Sequence, residues 1–266
     1  MHRHAIAVVF LLVNLSVSAQ SSQNAKTVPT PSSDPTAVSL AQKSMMALTG
    51  GLPIVDVTVN ATVISIVGST SQTGTGSFYA SGATQGRVDL SLNKSGLRSD
   101  VRSSTNGTPQ GAWQSAGSAP QAYSGQNCWT DAAWFFPALS SLSQTSNPTF
   151  VFSYVGQEQH GSVSTQHIRV YQLGSPKIAG SSLSTMDFYL DAVSLLPVAI
   201  SFNSHADDSM GTNLPTEIDF ANYQIVSGIR VPFHFQKIFN GLVILDATVT
   251  GVVPNSGLTS SLFTLQ

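Results

Sequence analysis

The chain has 266 residues, of which only 9% are charged, and its formal charge is −2. Globular chains usually carry about 25% charged residues, so Ser, Thr, Asn, Gln and Gly must cover this surface. So weak a field excludes electrostatic capture of nucleic acid or of an anionic membrane surface, and neither is expected as a partner.

His2, Arg3 and His4 precede an apolar run from Ala5 to Val13, and Val17, Ser18 and Ala19 supply the small residues that a signal peptidase reads. Residues 1–19 therefore read as a signal peptide cut after Ala19, which places the mature chain outside the cytoplasm, secreted or periplasmic. The run is about half of the ~20 residues a spanning helix needs, and no later segment is apolar for longer, so an integral membrane protein is not expected. Residues 20–33 are polar, contain proline and lack any period, as a disordered linker does. A single domain is expected over 34–266. Cys128, the lone cysteine, reads as a small buried thiol.

Ser33 or Asp34 can cap a helix that takes Pro35 in its first turn. Ala37, Leu40, Ala41, Ser44, Met45 and Leu48 then recur at helical spacing until Gly50 and Gly51 stop it. From Ile54 the period becomes two: Val55, Val57, Val59, Ala61 and Val63 alternate with polar residues, as in a strand buried on one face. Similar runs follow, punctuated by Gly74 to Gly76, Gln85-Gly86, Ser95-Gly96, Asn106-Gly107, Gly156, Ser227-Gly228 and Asn240-Gly241. Asn-Gly suits a type I′ turn, so residues 229–239 and 242–251 should pair antiparallel. The expected total is about ten strands in a meander.

Residues 107–127, rich in Gly, Ser, Ala and Pro, predict a weak strand and a loop. Residues 127–142 (NCWTDAAWFFPALSSL) predict a short aromatic helix interrupted at Pro137. The alternating strands leave one apolar sheet face with no second sheet to cover it. A mainly β, α+β fold follows, in which a curved antiparallel sheet, an open half-barrel, wraps around two helices. Two helices do not fill such a concavity, so an apolar-ligand cavity is expected between Trp134, Phe135 and Phe136 on one side and Phe202, Phe233 and Phe235 on the other. These positions could equally pack a dry core.

The C-terminal eighty residues contain DFYLDAVSLLPVAISF (187–202), LPTEIDFANYQIVSGIRVPFHFQKIFNG (214–241) and NSGLTSSLF (255–263). Through the acidic strand before Leu196-Pro197, through Asp219-Phe220 followed by Tyr223, and through Gly228 to Phe233, this region resembles the lipoprotein-localisation (LolA/LolB-like) carrier and receptor superfamily of the bacterial envelope. It is most similar to secreted members without an assigned role. The resemblance implies an antiparallel half-barrel plugged by helices, with a hydrophobic cavity that holds acyl chains. The chain lacks the Arg-Pro and aromatic segment that follow the early strands of the carriers.

No Gly-x-Ser-x-Gly elbow, His-Glu-x-x-His helix, phosphate loop or cysteine-pair zinc spacing occurs. No catalytic residue, metal site or cofactor is therefore expected. Two polar clusters, Glu158 with His160 and His167, and His205 with Asp207 and Asp208, have donors that suit a metal or a general base, but both fall where turns are expected. The reading that results is a monomeric, non-enzymatic protein that binds lipid or lipoprotein acyl chains. A structural or adhesive envelope protein with a dry core, and an enzyme with an unrecognised site, are the alternatives.

Overall fold

Helix α1 (Pro35–Thr49) begins where the sequence places it. Asp34 caps it, accepting from Thr36 N at 2.7 Å with Pro35 in the first turn, and Gly50 ends it in the left-handed conformation. The computed structural model describes residues 31–105, 107–178 and 180–265. The expected signal peptide, and the expected linker up to residue 30, lie outside them. Ser33 and Asp34 are held against the sheet edge: Asp34 N donates to Phe152 O at 2.7 Å, and Phe152 N donates to Ser33 Oγ at 3.1 Å.

Thirteen strands form one antiparallel sheet, against the ten expected. The first group is β1 (Asp56–Val67), β2 (Thr70–Ser81), β3 (Gln85–Leu92), β4 (Gly96–Thr105), β5 (Thr108–Ser115) and β6 (Gln121–Ala122). The second is β7 (Phe150–His160) and β8 (Val163–Gln172), then, after the two-stranded hairpin β9 (Lys177–Ile178) and β10 (Ser181–Ser182), β11 (Met186–Asp191), β12 (Pro197–Ala206), β13 (Ser209–Val226), β14 (Ile229–Phe239) and β15 (Leu242–Pro254). The sheet order is β6-β5-β4-β3-β2-β1-β15-β14-β13-β12-β11-β8-β7. The chain starts at the centre, runs out to the β6 edge, crosses to the β7 edge and returns to set β15 beside β1.

The sequence reading misplaced strands in two ways, of which only the first raises their number. β5 and β6 arise in the Gly, Ser and Ala-rich stretch that predicted only a weak strand and a loop. Several glycines expected in turns lie inside strands instead: Gly74 and Gly76 in β2, Gly86 in β3 and Gly156 at a bulge of β7. The Asn240-Gly241 hairpin forms as expected, with φ of 49° and 77° and Phe239 paired to Leu242.

The expected second helix does not form. Residues 127–142 instead run through turns and short 3-10 segments at Pro137–Leu139 and Ser141–Gln144. Residues 130–142 are all buried, and their polar groups are engaged outside any helical ladder. Ala132 N donates to Ala83 O at 3.2 Å, and Ser141 N to the Asp131 carboxylate at 2.7 Å, while Pro137 has no N–H to give.

This segment also measures the curvature of the sheet. Asp131 N contacts Met186 Sδ of β11 at 3.3 Å, while the next residue, Ala132, bonds to the β2–β3 turn. β2 and β11 are six strand positions apart, about 29 Å on a flat sheet, yet consecutive residues ~3.8 Å apart reach both. The sheet therefore curls around residues 127–142, but it is not closed into a barrel: among the described residues the edge strands β6 and β7 do not pair.

Candidate functional site

The concave face carries the core. Val57, Val59, Ala61 and Val63 of β1, Phe78 of β2, Ile218 and Phe220 of β13 and Phe235 of β14 point inward, and α1 and residues 133–142 cover them. Four rings meet at the centre. The Phe78 ring centroid lies 5.1 Å from Phe235, 5.2 Å from Phe135 and 6.3 Å from Trp134, mostly edge to face. Trp134 also stands edge-on to Phe135 at 5.6 Å and to Phe235 at 6.1 Å. Such pairs add about 0.5–1.5 kcal/mol each beyond their area burial.

Of the six residues expected around an apolar ligand, Trp134, Phe135 and Phe235 are thus brought together. Phe136 is buried in the same core, Phe202 is buried on β12, and Phe233 is half-buried on β14. Phe78, which links the two groups, was not singled out from the sequence, although it sits in β2 between Ser77 and Tyr79.

The far wall of the concave face is charged. β4 pairs Arg98 with Leu90, Asp100 with Val88 and Arg102 with Gly86 of β3, so all three polar residues share the inward face. Arg98 ion-pairs with Asp100 at 3.1 Å and lies 4.7 Å from the centre of the Trp113 ring. Tyr123 OH donates to Asp100, and burial together with that carboxylate holds the phenol well above its usual range. Arg102 Nη1 donates to Thr130 Oγ1 at 3.2 Å and faces the Tyr123 ring. From the opposite wall comes Lys237 of β14, which pairs with inward-facing Ile218 and holds its Nζ 4.7 Å from the centre of the Trp134 ring. Burial, reinforced by repulsion from Arg102 and Arg98, lowers the Lys237 ammonium to about 8.

The outer face holds a second polar assembly. His167 of β8 lies between Glu158 Oε1 at 2.5 Å and Asp187 Oδ1 at 2.7 Å, and Arg169 donates to Asp187 at 2.8 Å. Burial opposes ionisation of Asp187, but the hydrogen bonds from His167 and Arg169 outweigh it and hold the carboxyl below its usual range. The Tyr189 ring stacks on His160 at 4.3 Å and on His167 at 4.6 Å. His160 Nε2 in turn approaches Glu217 at 3.6 Å and Asp219 at 3.9 Å. These three residues offer ligand atoms within 4.8 Å of one another, a set that could hold a divalent cation. Burial and the neighbouring Asp219 raise the Glu217 carboxyl.

The first polar cluster is therefore part of a sheet face and not of a turn. The second stays at a hairpin: His205 is buried at the end of β12, Asp207 accepts from Ser124 Oγ at 2.6 Å, and Asn127 Nδ2 donates to His205 O at 2.9 Å. Cys128 is buried beside it, and burial raises its thiol. A cleft of about 420 Å³ lies between the β9–β10 hairpin and the outer ends of β8 and β11 to β13, lined by Arg169, Asp187, Asn203 and Asn213. Another of about 350 Å³ adjoins it beside Ser201, Pro215 and Glu217.

No family model matches the sequence, and no curated protein matches it. Solved structures do match the fold. One, described as an outer membrane lipoprotein-sorting protein domain from Vibrio parahaemolyticus, superposes with a TM-score of 0.56 at 13% identity, over 86% of this chain and 96% of that one. A DUF1329 family protein from Desulfovibrio piger gives 0.56 at 11% identity, over 86% and 96%. A LolA superfamily protein from Nitrosomonas europaea gives 0.54 at 10% identity, over 86% and 97%. The chain thus has the fold of the LolA-like lipoprotein-sorting domains.

Proposed function

We propose that this protein is an extracytoplasmic, non-enzymatic carrier or sensor, monomeric in solution, that shelters an acyl chain on the concave face of its open half-barrel. One observation carries the reading: Phe78 and Phe235 of the sheet meet the rings of Trp134 and Phe135, which belong to a covering segment that lacks an α-helical ladder. Displacing a few 3-10 turns breaks fewer cooperative hydrogen bonds than displacing a helix. An acyl chain enters by moving residues 127–142 and replaces their contacts with the sheet. The printed description of a structural neighbour as a lipoprotein-sorting domain supports an apolar ligand, and the N-terminal residues 1–19 support export.

The magnitudes allow it. About ten methylenes at ~0.8 kcal/mol each give roughly 8 kcal/mol gross, part of which is lost to association and ordering, leaving affinity on the order of micromolar. The test is a fatty-acid titration followed by tryptophan fluorescence, on the wild type and on Phe233→Asp. A saturable change that weakens in the variant is expected. The competing reading, a dry structural core, draws on the depth of the rings, since Phe78, Phe135, Phe136 and Phe235 are at most 1% exposed. It requires no saturable response in the wild type.

A further inference from the structure

The charges on the concave face do not balance. Arg98, Arg102 and Lys237 meet one carboxylate, Asp100, which is already engaged by Arg98 and by the Tyr123 hydroxyl. The local balance is two positive charges in a chain whose formal charge is −2. Arg102 has a hydroxyl, Thr130, as its hydrogen-bond partner. Lys237 has the Trp134 ring, and among the described residues neither a hydrogen bond nor an ion pair reaches its ammonium. These cations come from strands five positions apart, β4 and β14, about 24 Å on a flat sheet. Only the curl of the sheet brings them to the same place, beside the ring cluster.

We propose that Arg102 and Lys237 bind the anionic oxygen head, carboxylate or phosphate, of an acyl-chain amphiphile whose tail lies against Phe78 and Phe235. Arg102 supplies planar N–H donors suited to an oxyanion, and Lys237 supplies a point charge. Trp113 and Tyr123, which lie outside the displaced segment and already face Arg98 and Arg102, wall the head group from bulk water, which strengthens both contacts. Both cations are half-buried, and an anion between them would offset the part of their hydration that this burial costs. The proposal rests on the acyl-binding reading above and adds the chemistry of the head.

The experiment compares dodecanoic acid with its methyl ester at pH 7, by tryptophan fluorescence and calorimetry, on the wild type, Lys237→Met and Arg102→Met, with inorganic phosphate and acetate as chain-free probes. Circular dichroism verifies that each variant is folded, and Lys237→Gln replaces Lys237→Met if that variant is not. The acid should bind the wild type at least tenfold more tightly than the ester, with a preference that shrinks as salt is added and disappears in the folded variants. Equal binding of acid and ester overturns the head-group site and leaves the acyl reading standing. Binding of neither overturns both. Phosphate or acetate competing as well as the acid would show a free-anion site and overturn the amphiphile.

Discussion

The carbonyl oxygen of Ala132 lies against the backbone of Gly86, where a Cβ on that glycine would stand 2.2 Å from it. Gly86 has ordinary φ, so space and not backbone conformation requires the glycine there. This contact seats the covering segment on β3. Gly86→Ala should destabilise the protein by about 1–3 kcal/mol, as overpacking does, and should loosen residues 127–142 first. Urea unfolding gives the stability, and hydrogen exchange of residues 130–142 gives its location. An unchanged unfolding midpoint would mean that the segment does not rest on the sheet.

Asp131, in the same segment, gives a pH dependence. Burial raises its carboxyl to about 7, against a lowering effect from Ser141. The folded state therefore holds this proton at pH values where the unfolded chain has released it, so the contribution of Asp131 to stability is greatest below about pH 4 and falls as pH rises to about 7. The shift from 3.8 to about 7 corresponds to at most about 4 kcal/mol. Asp131→Asn keeps an acceptor for Ser141 N and removes the titration. The stability difference between wild type and variant should change across pH 4–7 and level off above it; a constant difference would show that Asp131 titrates normally.

Phe78 joins the two walls of the ring cluster, so its truncation leaves a cavity between Trp134, Phe135 and Phe235. Phe78→Ala should cost about 3–5 kcal/mol, the largest loss expected of any single ring at the edge of the cluster or beyond it. Chemical denaturation of this variant beside Phe233→Ala, whose ring is only half-buried, is the check: the order of the two losses should not reverse.

At Asn240-Gly241 both central residues have positive φ. Gly241→Val places a β-branched residue in the left-handed region and should lower stability by about 1 kcal/mol or more. Thermal unfolding measures it, and an unaltered midpoint would argue against the I′ turn.

Much of this architecture is legible in the residues themselves. Asp34, Pro35 and Gly50 mark the ends of α1 because capping is local chemistry. The Asn240-Gly241 pair marks its hairpin for the same reason. The segment around Trp134 is misleading: its Ala, Leu and aromatic content suits a helix, but burial on every side and bonds from Asp131 and Ala132 to distant partners override propensity. Gly74 and Gly86 read as turn residues because their actual reason is backbone within a Cβ's reach, Ser91 of the paired strand for Gly74 and Ala132 of the covering segment for Gly86, and no local pattern encodes either approach. The cationic group was partly visible, since Arg98, Asp100 and Arg102 alternate along one face of β4. That this face is the concave one follows only from the pairing with Leu90 and Val88.

The central claim is that the concave face takes up an acyl chain, and native mass spectrometry of the gently purified, exported protein tests it most directly. The account predicts a population carrying one bound species of lipid mass, released on collisional activation, and quantitative loading of the emptied protein by added fatty acid. Protein that flies only at its bare mass, and stays there at saturating fatty acid, would contradict the account and leave Phe78, Trp134, Phe135 and Phe235 as a dry structural core.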